Sequence, residues 1–231
     1  MSKFNFIEVN KDLLPKTKGR RIDGHRFYEI EGKNYPSITT VLNIRKKEGL
    51  TKWRENVGEG AANWEMARSA RRGKSTHTLI EQYLKSETPS ERSVLPLGLF
   101  KLLKPYVDQI NNIHLLEAIM YSHKLTVAGQ VDCVAEYNGK LSVIDFKTAN
   151  KERQESWIDN YFLQCTAYAI MYEEIFKKPI EQIVILLAGE DGSVACYKKN
   201  RKDYEESLGK AIKDFYKYYE ELNKDKIPTS K

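Results

Sequence analysis

Two strand-like runs, Gln130 to Tyr137 and Lys140 to Thr148, are joined by the dipeptide Asn138-Gly139 and nothing else. A type I′ turn needs positive φ at both central residues, which Asn and Gly adopt at little cost, so this dipeptide is the strongest short-range hairpin signal. A two-residue turn also sets the register. With Tyr137 paired to Lys140, each step back along one strand matches a step forward along the other, so Asp132 faces Asp145 and Gln130 faces Lys147 unless a bulge intervenes. Counted from the turn, 132 and 145 form a non-hydrogen-bonded pair, with Cα atoms about 4.5 Å apart.

Apolar residues flank both carboxylates. Val131, Cys133, Ile144 and Phe146 line one face and Val134, Leu141 and Val143 the other, the pattern of strands buried at the centre of a sheet. Two like charges facing each other there are destabilising, and burying either one unpaired costs on the order of several kcal/mol or forces protonation. Lys147 shares a face with Asp145 and can neutralise one carboxylate but not both. A divalent cation with hard oxygen ligands completes the balance, and the opposed pair favours that reading over a plain Asp145–Lys147 salt bridge.

Helical segments offer further ligands. In Gly73-Lys74-Ser75-Thr76-His77-Thr78-Leu79-Ile80-Glu81, the His and Glu are four apart and share a face, so both can address one cation or form an ordinary surface pair. Tyr161, Gln164, Tyr168 and Tyr172 make one stripe on a helix expected from Trp157 to Phe176. A core face explains the tyrosines; it does not explain the amide of Gln164.

Elsewhere the chain alternates short elements with few breaks. A hairpin is expected over Arg26 to Tyr35, with Glu31-Gly32-Lys33-Asn34 at its tip, and Ser37 as the N-cap of a helix from Ile38 to Ile44. Helices are expected from Thr51 to Arg71, from Lys74 to Lys85 after Gly73, and from Leu97 to Asn111, with a strand from Leu115 to Lys124. Trp53 and Trp64 are read as core residues, with base stacking as the alternative. The longest apolar run, Ile183 to Ala188, is far short of the ~20 residues that cross a bilayer. Three scattered cysteines, Cys133, Cys165 and Cys196, suit neither a disulfide framework nor a four-cysteine metal site, and point to a reducing compartment.

Charge is unevenly placed. Residues 1–74 carry 17 Lys and Arg against 9 Asp and Glu, and the remaining residues carry 21 against 23, so the whole excess of +6 is N-terminal. Arg68, Arg71, Arg72 and Lys74 fall one to three helical turns before His77, where they are expected to meet the phosphates of a polyanion.

Taken in order, Gly73, His77, Glu81, Asp132, Ile144-Asp145-Phe146-Lys147-Thr148, and Gln164 with Tyr168 resemble the RecB-like branch of the PD-(D/E)XK nucleases. The segment GQVDCVAEYNGKLSVIDFKT, with YPSITTVL at 35–42, is similar more narrowly to the mitochondrial genome maintenance exonuclease family and its phage relatives. The resemblance implies an α/β (α+β) fold, a restriction-endonuclease-like core with a central mixed sheet flanked by helices. It divides the chain into a hairpin and helical DNA-entry region, 1–72, and a nuclease core with a C-terminal helix, 73–231. It implies metal-dependent hydrolysis of DNA phosphodiesters, from ends of single strands, with Mg²⁺ or Mn²⁺. His77, Asp132, Asp145 and the Phe146 carbonyl would ligate the metal and Lys147 would serve the attacking water. Glu81, Gln164 and Tyr168 fall at motif positions of the catalytic set, and Ser37 and Tyr161 join the basic residues as expected DNA contacts. A duplex-end resecting exonuclease and a non-catalytic single-strand-binding module stay open as alternatives. The first twenty residues mix Lys with Glu8 and Asp12 and hold no apolar segment, so a bacterial or phage-encoded cytoplasmic protein is expected rather than a mitochondrial one.

Overall fold

A computed structural model describes residues 3–224; the last part of the 73–231 unit, 225–231, lies outside the described residues. The chain opens with a three-stranded antiparallel sheet of β1 (Arg20–Ile22), β2 (His25–Ile30) and β3 (Lys33–Pro36). The expected hairpin is β2–β3, with its turn tightened to Glu31-Gly32. A second turn at Asp23-Gly24 adds β1, a signal of the same kind that the sequence reading passed over.

Ser37 caps α1 (Ile38–Asn43) as expected, its hydroxyl accepting from the Thr40 amide. Then come α2 (Lys47–Val57) and the 26-residue α3 (Glu59–Leu84). The expected break at Gly73 is absent: the chain turns instead at Gly58, whose φ is 85°. An interior glycine costs only about 1 kcal/mol against Ala, and burial of Leu79, Ile80 and Leu84 outweighs that, so α3 runs straight through residues 72 and 73. Helix α4 (Val94–Val107) starts and ends earlier than the expected Leu97 to Asn111, because Ile110 already begins a strand.

Five strands build the main sheet: β4 (Ile110–Ser122), β5 (Val127–Tyr137), β6 (Lys140–Ala149), β7 (Gln182–Gly189) and β8 (Val194–Asn200). They lie in the order β4-β5-β6-β7-β8, antiparallel except for β6 beside β7. That parallel pair needs a crossover, which α5 (Asp159–Phe176) supplies; α6 (Glu205–Lys224) follows β8. The result is a mixed α/β sheet with helices on both faces. Cys133, Ile144, Val184 and Leu186 pack with Ile80 and Leu84 of α3 and Leu99 and Leu103 of α4. Val134, Val143, Ile183 and Ile185 pack with α1, α5 and α6 through Val41, Phe162 and Phe215. Two covered faces explain why Ile183 to Ala188 is an unbroken apolar run rather than an alternating one.

Candidate metal centre and active site

The hairpin register holds from Tyr137–Lys140 to Cys133–Ile144, then stops one pair short of the two aspartates. Beyond that point β5 stays with β4 and β6 stays with β7, so the strands fork. Asp132 sits at the fork and turns its Oδ2 to accept from the Phe146 amide at 2.9 Å. The expected ladder pairs Asp132–Asp145 and Gln130–Lys147 are therefore not formed. A carboxylate takes up the amide a backbone carbonyl would otherwise satisfy, and Gln130 donates instead to Glu117 at the cleft wall.

Three elements converge on the fork. Glu117 of β4 lies between the pairs Leu116–Cys133 and Ala118–Val131, which brings it level with Asp132. His77 of α3 has Nε2 2.7 Å from the Phe146 carbonyl oxygen, and Nδ1 3.6 Å from Asp132 Oδ2 and 3.9 Å from Glu117 Oε1. Ligand atoms of His77, Glu117 and Asp132 all lie within 4.8 Å of one another. Sequence reading placed His77 and Asp132 here and missed Glu117. Its signal was a single acid inside Leu115-Leu116-Glu117-Ala118-Ile119-Met120, but aligning it with Asp132 requires the β4–β5 register, which carries an irregularity between Asn111 and Leu115.

Asp145 is 1% exposed. Lys147 Nζ lies 2.5 Å from its Oδ2, whereas its Oδ1 has no hydrogen-bond partner among the described residues. Burial, reinforced by the Asp132 charge, pushes the Asp145 carboxyl up to about 6 against the pull of Lys147. Burial alone would lower Lys147, but the Asp145 and Asp132 charges outweigh it and hold the ammonium charged. Burial also opposes charging of His77, yet Asp132 and Glu117 raise it to about 9. Without a metal, the imidazole thus keeps a proton beside the carboxylates. Three acids against one lysine and one histidine, with one buried carboxylate oxygen left over, fit a divalent cation that accepts oxygen and imidazole donors.

The other expected residues divide into groups. The Phe146 carbonyl is at the site, with its oxygen against the His77 ring. Glu81 lies one turn beyond His77 and forms an ion pair with Lys85 at 2.6 Å, outside the carboxylate cluster, on the wall of a neighbouring cleft with His77 and Glu117. Lys147, Tyr161 and Gln164 line a cleft of about 350 Å³ that opens on His77, Glu117 and Asp132. Gln164 donates to the Tyr168 hydroxyl at 3.2 Å, and Tyr168 is itself buried against Gly129, where an added Cβ would come within 2.9 Å of the ring. Tyr172 belongs to the core and bonds His114. Ser37 is on the cleft wall with its hydroxyl committed to Thr40.

The arginines need correction. Arg68 and Arg72 are bound to Glu190, and buried Arg72 also reaches Thr148 and Asn150, so these two side chains fasten α3 to the ends of β6 and β7 instead of facing phosphates. Only Arg71 and Lys74 of the four are exposed. Trp64 is not core: it is 62% exposed, with the Arg68 guanidinium over its ring. Trp53 is half-buried.

The sequence profile described as the PD-(D/E)XK nuclease superfamily matches residues 53–230, and the chain belongs to that superfamily. The five-stranded mixed sheet flanked by helices is the core expected for it. Among named proteins, the chain is 31% identical over 175 residues to human mitochondrial genome maintenance exonuclease 1, which covers 69% of this chain and 51% of the human protein. The mouse protein of the same name is 28% identical over 181 residues, covering 72% of this chain and 53% of the relative. The Xenopus tropicalis protein is 30% identical over 180 residues, covering 69% and 50%. The chain spans about half the length of these curated relatives.

Proposed function

We propose that this chain is a metal-dependent deoxyribonuclease that removes nucleotides from the ends of single-stranded DNA, in replication, repair or recombination. The observation that carries the reading is Asp145, a buried carboxylate with one unpartnered oxygen, fixed by Lys147 beside the His77–Glu117–Asp132 cluster. A structural ion pair has no use for the three further ligands; a hydrolytic centre does. His77, Glu117, Asp132 and Asp145 would hold Mg²⁺ or Mn²⁺, which when bound neutralises the phosphodiester and lowers the pKa of water.

The chain's own groups do the rest. Lys147, ion-paired with Asp145 at 2.5 Å and lining the cleft, is placed to act on the attacking water. Tyr161, beneath the Lys147 ammonium at 5.0 Å from the ring centre, confines that side chain to the cleft. Gln164 and Tyr168 close the back wall and limit the space beside the reacting phosphate. Arg71 and Lys74 are exposed and lie one to two turns before His77, placed to meet phosphates outside the cut bond. A bacterial or phage-infected cytoplasm belongs to the same proposal, supported by three free cysteines, two of them buried.

Digestion of end-labelled linear and covalently closed circular DNA, single-stranded and duplex, with Mg²⁺, Mn²⁺ or EDTA, tests the reading. Metal-dependent loss of linear single strands with circles spared is expected. Cutting of circles would replace the exonuclease with an endonuclease, and preferential loss of linear duplex would favour a duplex-resecting enzyme.

A further inference from the structure

A second cavity, of about 620 Å³, adjoins the metal-facing cleft and shares Lys46 and Asn160 with it. Its wall includes Arg45, Trp157, Phe162 and Tyr204. The volume is in the range of small-ligand sites, and the lining combines aromatic planes with cations, the chemistry that holds a nucleotide.

The charges do not cancel. Asp159 is paired with Arg45 at 3.1 Å and Glu155 with Lys199 at 2.5 Å, so both acids near the cavity already have cations. Lys46 has no carboxylate partner among the described residues. Its ammonium lies over one ring, that of Tyr161, 5.3 Å from the centre, while Lys147 lies 5.0 Å from the same centre. Partial burial of its end, and then the nearby charges of Arg153, Lys147 and Arg45, lower the Lys46 pKa, although the residue as a whole is exposed. Trp157 is 54% exposed at the cavity wall, although Phe162 and Tyr204 beside it stack on each other at 5.1 Å.

We infer that this cavity is a subsite for the nucleotide adjoining the cleaved bond, with Lys46 taking its phosphate and Trp157 stacking on its base. Tyr161 places the lysine of the subsite and the lysine of the reacting centre on one ring, so a strand entering the cleft meets two cations in succession. The inference rests on the nuclease reading of the cleft and adds to it a substrate longer than the single bond being cut.

Two substrates separate the effects. A p-nitrophenyl ester of thymidine 5′-monophosphate presents one phosphodiester and has no adjoining nucleotide, whereas an oligothymidylate fills both cavities. Lys46→Ala and Trp157→Ala should each raise KM for the oligonucleotide by about tenfold and keep the wild-type thermal midpoint, and Trp157→Ala, at a residue outside the metal-facing cleft, should leave kinetics on the ester within about twofold of wild type. In Ca²⁺, anisotropy of a labelled oligothymidylate should weaken to match, with the salt slope shallower by about 0.7 for Lys46→Ala and unchanged for Trp157→Ala. Lys46→Arg and Trp157→Phe should recover most of the affinity. Equal losses on both substrates would move Lys46 into the reacting centre, and unchanged oligonucleotide KM and binding would remove the subsite. If the wild type cleaves neither substrate, the nuclease reading fails, while the binding series still decides whether Lys46 and Trp157 hold a strand.

Discussion

Asp132 on β5 accepts a hydrogen bond from the Phe146 amide on β6, and this side chain spans the point where the two strands part. One carboxylate therefore satisfies a buried amide and supplies negative charge to the centre. The two roles are separable. Asp132→Asn keeps an acceptor and loses the charge, so cleavage should fall to less than about a hundredth while folding is retained. Asp132→Ala also orphans the amide and should lose about 1–3 kcal/mol more in urea unfolding. Equal stabilities for the two variants would show that the amide finds another partner.

Metal should stabilise the protein without DNA. A ligand that binds only the native state adds about 2.7 kcal/mol at one hundred times its Kd, so saturating Mn²⁺ or Mg²⁺ should raise the thermal midpoint by several degrees. Glu117→Gln and His77→Ala should each reduce that rise, Glu117 being the ligand the strand pairing reveals. A wild-type midpoint that does not move in either metal would contradict a preformed site.

In EDTA, His77 supplies a pH signature. Its folded-state value is raised to about 9 from 6.5, so the proton it binds stabilises the native state. That contribution is fully present below about pH 6.5 and is lost as pH rises through about 9. Urea unfolding of wild type against His77→Asn should show an advantage that shrinks between those limits. An advantage growing with pH would mean that the ring is held neutral.

Arg72 and Arg71, adjacent in sequence, should respond in opposite ways. Glu190→Ala leaves buried Arg72 without its carboxylate and should destabilise by about 3–5 kcal/mol. The exposed pair Arg71→Ala with Lys74→Ala should change stability by less than about 1 kcal/mol, and flatten the salt dependence of single-strand binding by roughly one unit. Calorimetry and salt-series anisotropy check both. An unaltered slope would route the strand away from α3.

Local signals carried most of the elements and every member of the centre except Glu117. Asn138-Gly139 announced the β5–β6 hairpin because its turn chemistry is complete within two residues, and Ser37 announced α1 for the same reason. Asp132, Asp145 and Lys147 were legible as soon as that register was drawn, although the fork that pulls Asp132 out of the ladder depends on which outer strand each inner one follows. Glu117 was hidden because its place depends on pairing with a strand beyond a connecting loop. Arg72 was misread because Glu190, its partner, is 118 residues away, and nothing in a run of basic residues says which one will be buried. Trp64 failed for the converse reason: a large apolar ring on a helix predicts burial only when the helix has a neighbour on that side.

The measurement that bears most directly on the centre is digestion of an end-labelled single-stranded oligonucleotide by wild type and Asp145→Asn, each in Mn²⁺ and in EDTA. Asn keeps the size of the side chain and removes the buried charge that Lys147 and the cation share. Short products should appear only with wild type in Mn²⁺. Cleavage in EDTA, or more than about a tenth of wild-type turnover from Asp145→Asn, would contradict a metal centre built on that carboxylate.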